Sequence, residues 1–163
     1  MIRIVTDSAA DLTAAELSVP GVFVVPLSVT FADGTTQPDD GTMTKDEFFV
    51  RLAEDSKLPC TSQPSPASFI QVYEDAEAAG DEVLVITIGQ KLSGTYQCAH
   101  LAAADVGLQA YIVDSEAASQ AEALLVREAV RLRDEEGLTA EEIAAVLEQF
   151  KKRVRIVAVV DSL

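Results

Sequence analysis

VLVITIGQKLSGTYQC, residues 83–98, decides the fold. Val83 to Ile88 is an apolar run rich in β-branched residues, the pattern of a strand buried on both faces. Gly89 breaks it before Leu92, Ser93, Gly94 and Thr95 open a helical pattern. The order is strand, tight loop, helix start. The first amides of a helix lack internal partners and lie at the positive end of its dipole. Ser93, Gly94 and Thr95 therefore combine free backbone donors with two hydroxyls, a setting that suits an anion. Ser93 acting only as the cap of its own helix accounts for the same residues.

Upstream, Ile2 to Val5 reads as a short strand with Thr6, Asp7 and Ser8 at its carboxyl end, and Thr13 with Glu16 forms a capping box for a brief helix around Leu17. Val22 to Phe31 returns to β-branched residues but contains Pro26, which predicts an extended segment that is bent or lies at a sheet edge. Asp33-Gly34 marks a turn, and a polar loop is expected from Thr35 to Met43. Thr44 with Glu47 is a second capping box, opening a helix that is expected to turn Phe48, Phe49 and Leu52 inward and to end near Ser56.

LPCTSQPSP, residues 58–66, is the second informative stretch. Pro59 and Pro64 remove backbone donors and restrict the residues before them, so Cys60 to Gln63 is expected to be extended and to present Thr61, Ser62 and Gln63. A proline-stiffened connector with solvated hydroxyls is the plainer reading. Ser65 and Pro66 then start a helix carrying Phe69, Ile70, Val72, Tyr73 and Ala76 as far as Gly80.

Downstream of the Ser93 helix, Ala110 to Val113 is a strand ending in Asp114-Ser115. A helix from about Ser119 to Glu136 places Leu124, Leu125, Ala129 and Leu132 inward and stops at Gly137. Thr139 and Glu142 make a third capping box, followed by Ile143, Val146, Leu147 and Phe150 at helical spacing. Val154 to Val160 reads as a last strand running into Asp161 and Ser162. Strands alternating with helices predict an α/β fold with a mainly parallel sheet covered by helices on both faces, whose ligands bind beyond the carboxyl ends of the strands. Three of those ends carry Asp-Ser, either a polar rim around a pocket or helix caps; for Asp114 and Ser115 capping is the favoured reading.

Composition narrows the function. The chain has 163 residues, about one domain, and its 48% hydrophobic content is ample for a core. With 27 acidic against 12 basic residues the net charge is -15, which opposes binding to nucleic acid or to an anionic membrane. The absence of a signal-like start and of any long apolar span makes the cytoplasm the expected location, with Cys60 and Cys98 as reduced thiols. No metal-ligand spacing is present, and the lone His100 is expected to be structural or on the surface.

TDSAADL at 6–12, VVPLSV at 24–29, PCTSQPSPASF at 59–69, KLSGTYQCA at 91–99 and VDSEAAS at 113–119 stand in an order and spacing that resemble the DegV family over essentially the whole chain. TSQPSP with LSGTY is a specific pair. The resemblance implies a DegV-like N-terminal α/β lobe over residues 1–163, belonging to the fatty-acid-binding subunits that work with bacterial fatty acid kinase. It implies a long-chain fatty acid whose carboxylate is hydrogen-bonded by Thr61 and Ser93, with Ser62, Gly94 and Thr95 as further contacts and the acyl chain in an apolar pocket. The partner kinase catalytic subunit would phosphorylate the bound carboxylate, and the acyl phosphate would feed phospholipid synthesis. No cofactor, metal or catalytic residue is implied for the chain itself. A second lobe, which in the family helps to close the site, would begin where this sequence stops.

The chemistry is consistent with such a ligand. Charge-assisted hydrogen bonds are worth roughly 1.5 to 3 kcal/mol each, and each buried methylene about 0.8 kcal/mol, so the tail would supply most of the affinity. Leu27, Val29, Phe31, Phe48, Leu52, Ile70 and Tyr73 could line the tail or be ordinary core. Two features depart from the family: Gly89-Gln90 stands where a serine pair is usual, and Gln120, Ala121 and Glu122 replace small residues after the DS motif. Two other functions fit the residues, a structural or interaction lobe without a ligand and a phosphotransferase or hydrolase using Asp7 or Asp114. Against the enzyme stands the want of a placed histidine, metal motif or glycine-rich phosphate loop.

Overall fold

Most of the apolar run at 83–88 becomes one of the two inner strands of a parallel sheet. The computed structural model describes residues 1–157. Its strands are β1 (Ile2–Asp7), β2 (Val22–Val25), β3 (Ser28–Thr30), β4 (Thr36–Pro38), β5 (Cys60–Ser62), β6 (Glu82–Thr87) and β7 (Ala110–Asp114). Its helices are α1 (Ala14–Leu17), α2 (Lys45–Glu54), α3 (Pro66–Ala79), α4 (Thr95–Val106), α5 (Gln120–Glu135) and α6 (Ala140–Phe150). The parallel sheet has the order β2-β1-β6-β7, and a small antiparallel sheet has the order β4-β3-β5.

Alternate side chains of the two central strands feed two separate cores. Ile4, Leu84 and Ile86 point to one face, where α5 and α6 cover them with Leu125, Val126, Ala129, Leu132, Ile143 and Leu147. Val5, Val83 and Val85 point to the other, under Phe69, Tyr73 and Ala76 of α3 and Cys98, Ala99 and Ala102 of α4. Period-two alternation with both faces apolar is why Val83 to Ile86 of β6 reads as a hydrophobic run. All three capping boxes are formed, with Thr13, Thr44 and Thr139 each accepting from the amide three residues on.

Several details depart from expectation. Pro26 ends one strand: β2 stays in the parallel sheet while β3 joins the antiparallel one, and β4 forms inside the stretch expected to be a polar loop. Phe49 faces solvent at 59% exposure, because α2 lies on the small hairpin, has no sheet face to cover and buries none of its residues. Leu124 (42% exposed) and Val146 (38%) lie at the rims of their helices, since Leu125, Ala129 and Leu132 define the inward stripe of α5 and Ile143 and Leu147 that of α6. The last expected strand is not seen over residues 154–157, and its remainder, with Asp161 and Ser162, lies outside the described residues.

Glu122 is the anomaly of the core. It is fully buried at the start of α5, where Oε1 accepts a hydrogen bond from the Thr6 hydroxyl at 3.1 Å. Its Oε2 is buried with no hydrogen-bond partner among the described residues. Burial, reinforced by the nearby charge of Asp7, pushes its pKa up to about 10. The folded chain therefore keeps a proton that the unfolded chain releases near the ordinary glutamate value, so stability is greatest below about pH 4.5 for this group and falls as pH rises towards 10. Glu122→Gln is expected to stabilise the protein by about 2 to 3 kcal/mol at pH 7 and to flatten the decline of stability between pH 5 and 8. Urea denaturation across that range checks it, and an unchanged slope refutes a protonated Glu122.

Candidate functional site

The chain runs from β1 to β2 on one side of β1 and returns to β6 on the other, so the loops after β1 and β6 part at a switch in strand order, where open α/β sheets place their ligands. Asp7 holds that point together. Its Oδ1 accepts from the Ala9 amide at 3.0 Å and its Oδ2 from the Ile88 amide at 2.8 Å. Burial raises its pKa to about 6 while those two backbone N–H groups pull it down. Ser8 Oγ accepts from the Leu27 amide at 3.0 Å, fixing the kink between β2 and β3.

Asp114 and Ser115 join loops and cap no helix, which corrects the capping reading. Asp114 Oδ1 accepts from the amides of Gln90, at 3.0 Å, and Glu116, at 2.9 Å, while Ser115 Oγ accepts from the Ala117 amide. Gly89 fits here because the 116–117 backbone passes so close: a Cβ on it would lie 3.1 Å from the Ala117 nitrogen. Among the described residues the non-glycine residues with left-handed backbone, Asp11, Glu116 and Ser119, lie in loops around this end of the sheet. Such conformations cost energy and concentrate where surroundings impose them.

α4 begins at Thr95, later than the sequence pattern implied, and its N-cap is Gly94 with no side-chain cap. Ser93 is thus displaced from the cap position. Its hydroxyl accepts from the Thr95 amide at 3.3 Å and lies 2.9 Å from the hydroxyl of Thr95, which is fully buried. On the second stretch Cys60–Ser62 is extended as expected, because it pairs with β3: Thr61 stands opposite Val29, and Ser62 opposite Ser28. Thr61, Ser62 and Gln63 are all exposed. The two stretches meet through Gln63, whose side chain lies against Gly94, and through Cys98 Sγ, which donates to the Pro64 carbonyl at 3.3 Å.

Beside Thr61 opens a groove of about 390 Å³ walled by Val29, Phe31, Met43, Phe48 and Phe49, with Asp11, Asp39 and Lys45 at its polar margin. Small-molecule sites occupy roughly 300 to 1,000 Å³. Ser93 does not line it. Of the candidates for an apolar lining, Val29, Phe31 and Phe48 do, whereas Leu27 and Tyr73 are buried core and Leu52 and Ile70 lie elsewhere. A more open depression of about 740 Å³, lined by Thr42, Met43, Val50 and the charged Asp46, Glu47 and Arg51, includes neither Thr61 nor Ser93. The wall itself is lightly held. The Arg51 guanidinium sits 3.7 Å from the Phe31 ring centre and 2.9 Å from Asp33, and Phe31 packs on Phe48 at 6.2 Å.

Sequence reasoning missed the contact of Gln63 with Gly94 and the outward turn of Phe49. Gly94 beside two hydroxyl residues was the available signal. Cys60 is exposed and Cys98 buried, both as free thiols; His100 is exposed, its ring edge-on to Tyr96 at 4.6 Å. Among the described residues no helix is long and apolar enough to cross a membrane.

Comparison with known proteins returns one family. The profile of the DegV family of uncharacterised proteins matches residues 1–163. A DegV domain-containing protein of Caldanaerobacter subterraneus is 36% identical over 99% of this chain and 57% of its own length, so the chain spans just over half the curated relatives it matches. A Thermus thermophilus DegV family protein, described by its fatty acid binding, superposes with a TM-score of 0.83 at 40% identity, covering 93% of this chain and 53% of that one. A stearic-acid-binding protein of Eubacterium ventriosum gives 0.82 at 35% identity, over 91% and 52%.

Asp114→Ala removes the shared acceptor of two loop amides, with an expected cost of about 1 to 3 kcal/mol. Amide hydrogen exchange at Gln90 and Glu116 should accelerate together; protection that survives at both positions would show that the loops are held by other contacts.

Proposed function

The chain belongs to the DegV family, and from that membership we propose that it holds a long-chain fatty acid, its carboxylate on Thr61 and Ser93 and its tail in the groove of Val29, Phe31, Phe48 and Phe49. The observation that carries this reading is the position of Thr61: one side chain belongs both to the apolar groove and to the loop that Gln63 seats against Gly94, one residue from Ser93. A hydroxyl at the mouth of an aromatic bed suits an amphiphile with a polar head. Fatty acid binding in the Thermus and Eubacterium proteins supports the same ligand.

Thr95 contributes indirectly, since its buried hydroxyl orients that of Ser93. Ser62 and Gly94 shape the two loops, and the chain does no chemistry of its own. The bound carboxylate is presented to a partner kinase that phosphorylates it. The groove is open on the side where Phe49 is 59% uncovered, and by this reading the part of the longer relatives that this chain does not span would cover it.

Thr61→Ala and Ser93→Ala are each expected to weaken palmitate binding by about 1 to 3 kcal/mol while leaving the unliganded melting temperature within about 2 °C of the parent. Isothermal titration with palmitate and its methyl ester checks the reading, and equal affinities for the two in the parent protein refute carboxylate recognition. Phosphorylation of the bound acid by a purified fatty acid kinase catalytic subunit tests the partner.

A further inference from the structure

A Cβ built on Gly94 would lie 2.0 Å from Gln63 Oε1, 3.0 Å from Cδ and 3.4 Å from Nε2. The carboxamide therefore fills the space that any side chain at 94 would need. Gly94 has φ -77°, which every residue adopts, so the backbone makes no demand for glycine here; a side chain at 94 would instead displace the exposed Gln63 amide. The backbone that follows the amide is restrained. Pro64 restricts Gln63 to extended backbone, and the Pro64 carbonyl is held by Cys98 one turn into α4. The carbonyl oxygen is the amide atom nearest Gly94, and the NH2 end lies further from it, on a residue that is exposed and follows Thr61 by two positions.

We propose that Gln63 is a third donor to the ligand's carboxylate, its NH2 group aimed by the close fit of its carbonyl on Gly94. This rests on the fatty-acid reading above. An amide held on one face by packing loses little freedom on binding, so its hydrogen bond adds to affinity and selects a carboxylate over a head group that accepts less well.

The test compares palmitate with 1-hexadecanol, which has the same tail without the carboxylate, by titration on the 163-residue chain. Gln63→Leu keeps the volume and removes the donors; palmitate should bind roughly 10- to 30-fold more weakly while hexadecanol changes less than about 2-fold. Gly94→Ala, which unseats the amide without altering it, should give the same split, and combining it with Gln63→Ala should add no further loss. Equal weakening of both ligands by Gln63→Leu would make the amide a packing wedge and overturn the donor role. Undiminished palmitate binding in Gln63→Leu, with the parent still preferring palmitate, overturns this assignment alone. A parent that does not prefer palmitate overturns the fatty-acid reading and this one with it.

Discussion

A single buried carboxyl governs the geometry of the site. Asp7 ends β1 with both oxygens committed to backbone amides, one in its own turn and one at Ile88 beyond β6. Taking a carboxylate out of water is costly unless its lone pairs are met, and here they are met by the two loops that must diverge from neighbouring strands. The loop carrying Ser93 therefore leaves the sheet in a direction set by β1. Asp114 repeats the device one strand over, on the amides of Gln90 and Glu116.

Stability and recognition are divided between the two sheets. The parallel sheet buries apolar side chains on both faces, and each fully buried aliphatic residue there is worth roughly 1.5 to 3 kcal/mol. The antiparallel sheet and α2 have no comparable core: a guanidinium on a phenylalanine ring and an exposed ion pair hold the helix in place. Exposed ion pairs contribute little. The aromatic groove thus belongs to the less stable part of the fold, the part from which ligand-binding segments are commonly drawn.

What could be read in advance follows physical range. β6 was legible because double-sided burial leaves a nearly continuous apolar run, β1 and β7 because their shorter apolar stretches end in Asp at the loop, and the three capping boxes because each is complete within four residues. Thr36-Gln37-Pro38 was not, since a polar edge strand containing proline becomes a strand only by pairing with β3. Phe49 misled for the same reason: helical spacing defines a face but not whether anything covers it. Local chemistry marked the stretches of Thr61 and Ser93 and the family resemblance singled out those two residues, whereas the contact that couples their loops joins residues 63 and 94 and has no local signature.

The strand order also fixes a schedule. Ile4 pairs with Leu84, so the central partner of the first strand is made only after everything between them. At roughly 5 to 20 residues per second, β6 emerges from the ribosome about 4 to 16 seconds after β1. During that interval β1 has β2 alone for a neighbour, and its other edge, with Ile4 and Val5 uncovered, is open to any passing strand. The nascent chain is exposed to mispairing in those seconds, and whatever shields it then, whether ribosome surface or chaperone, must act until β6 emerges.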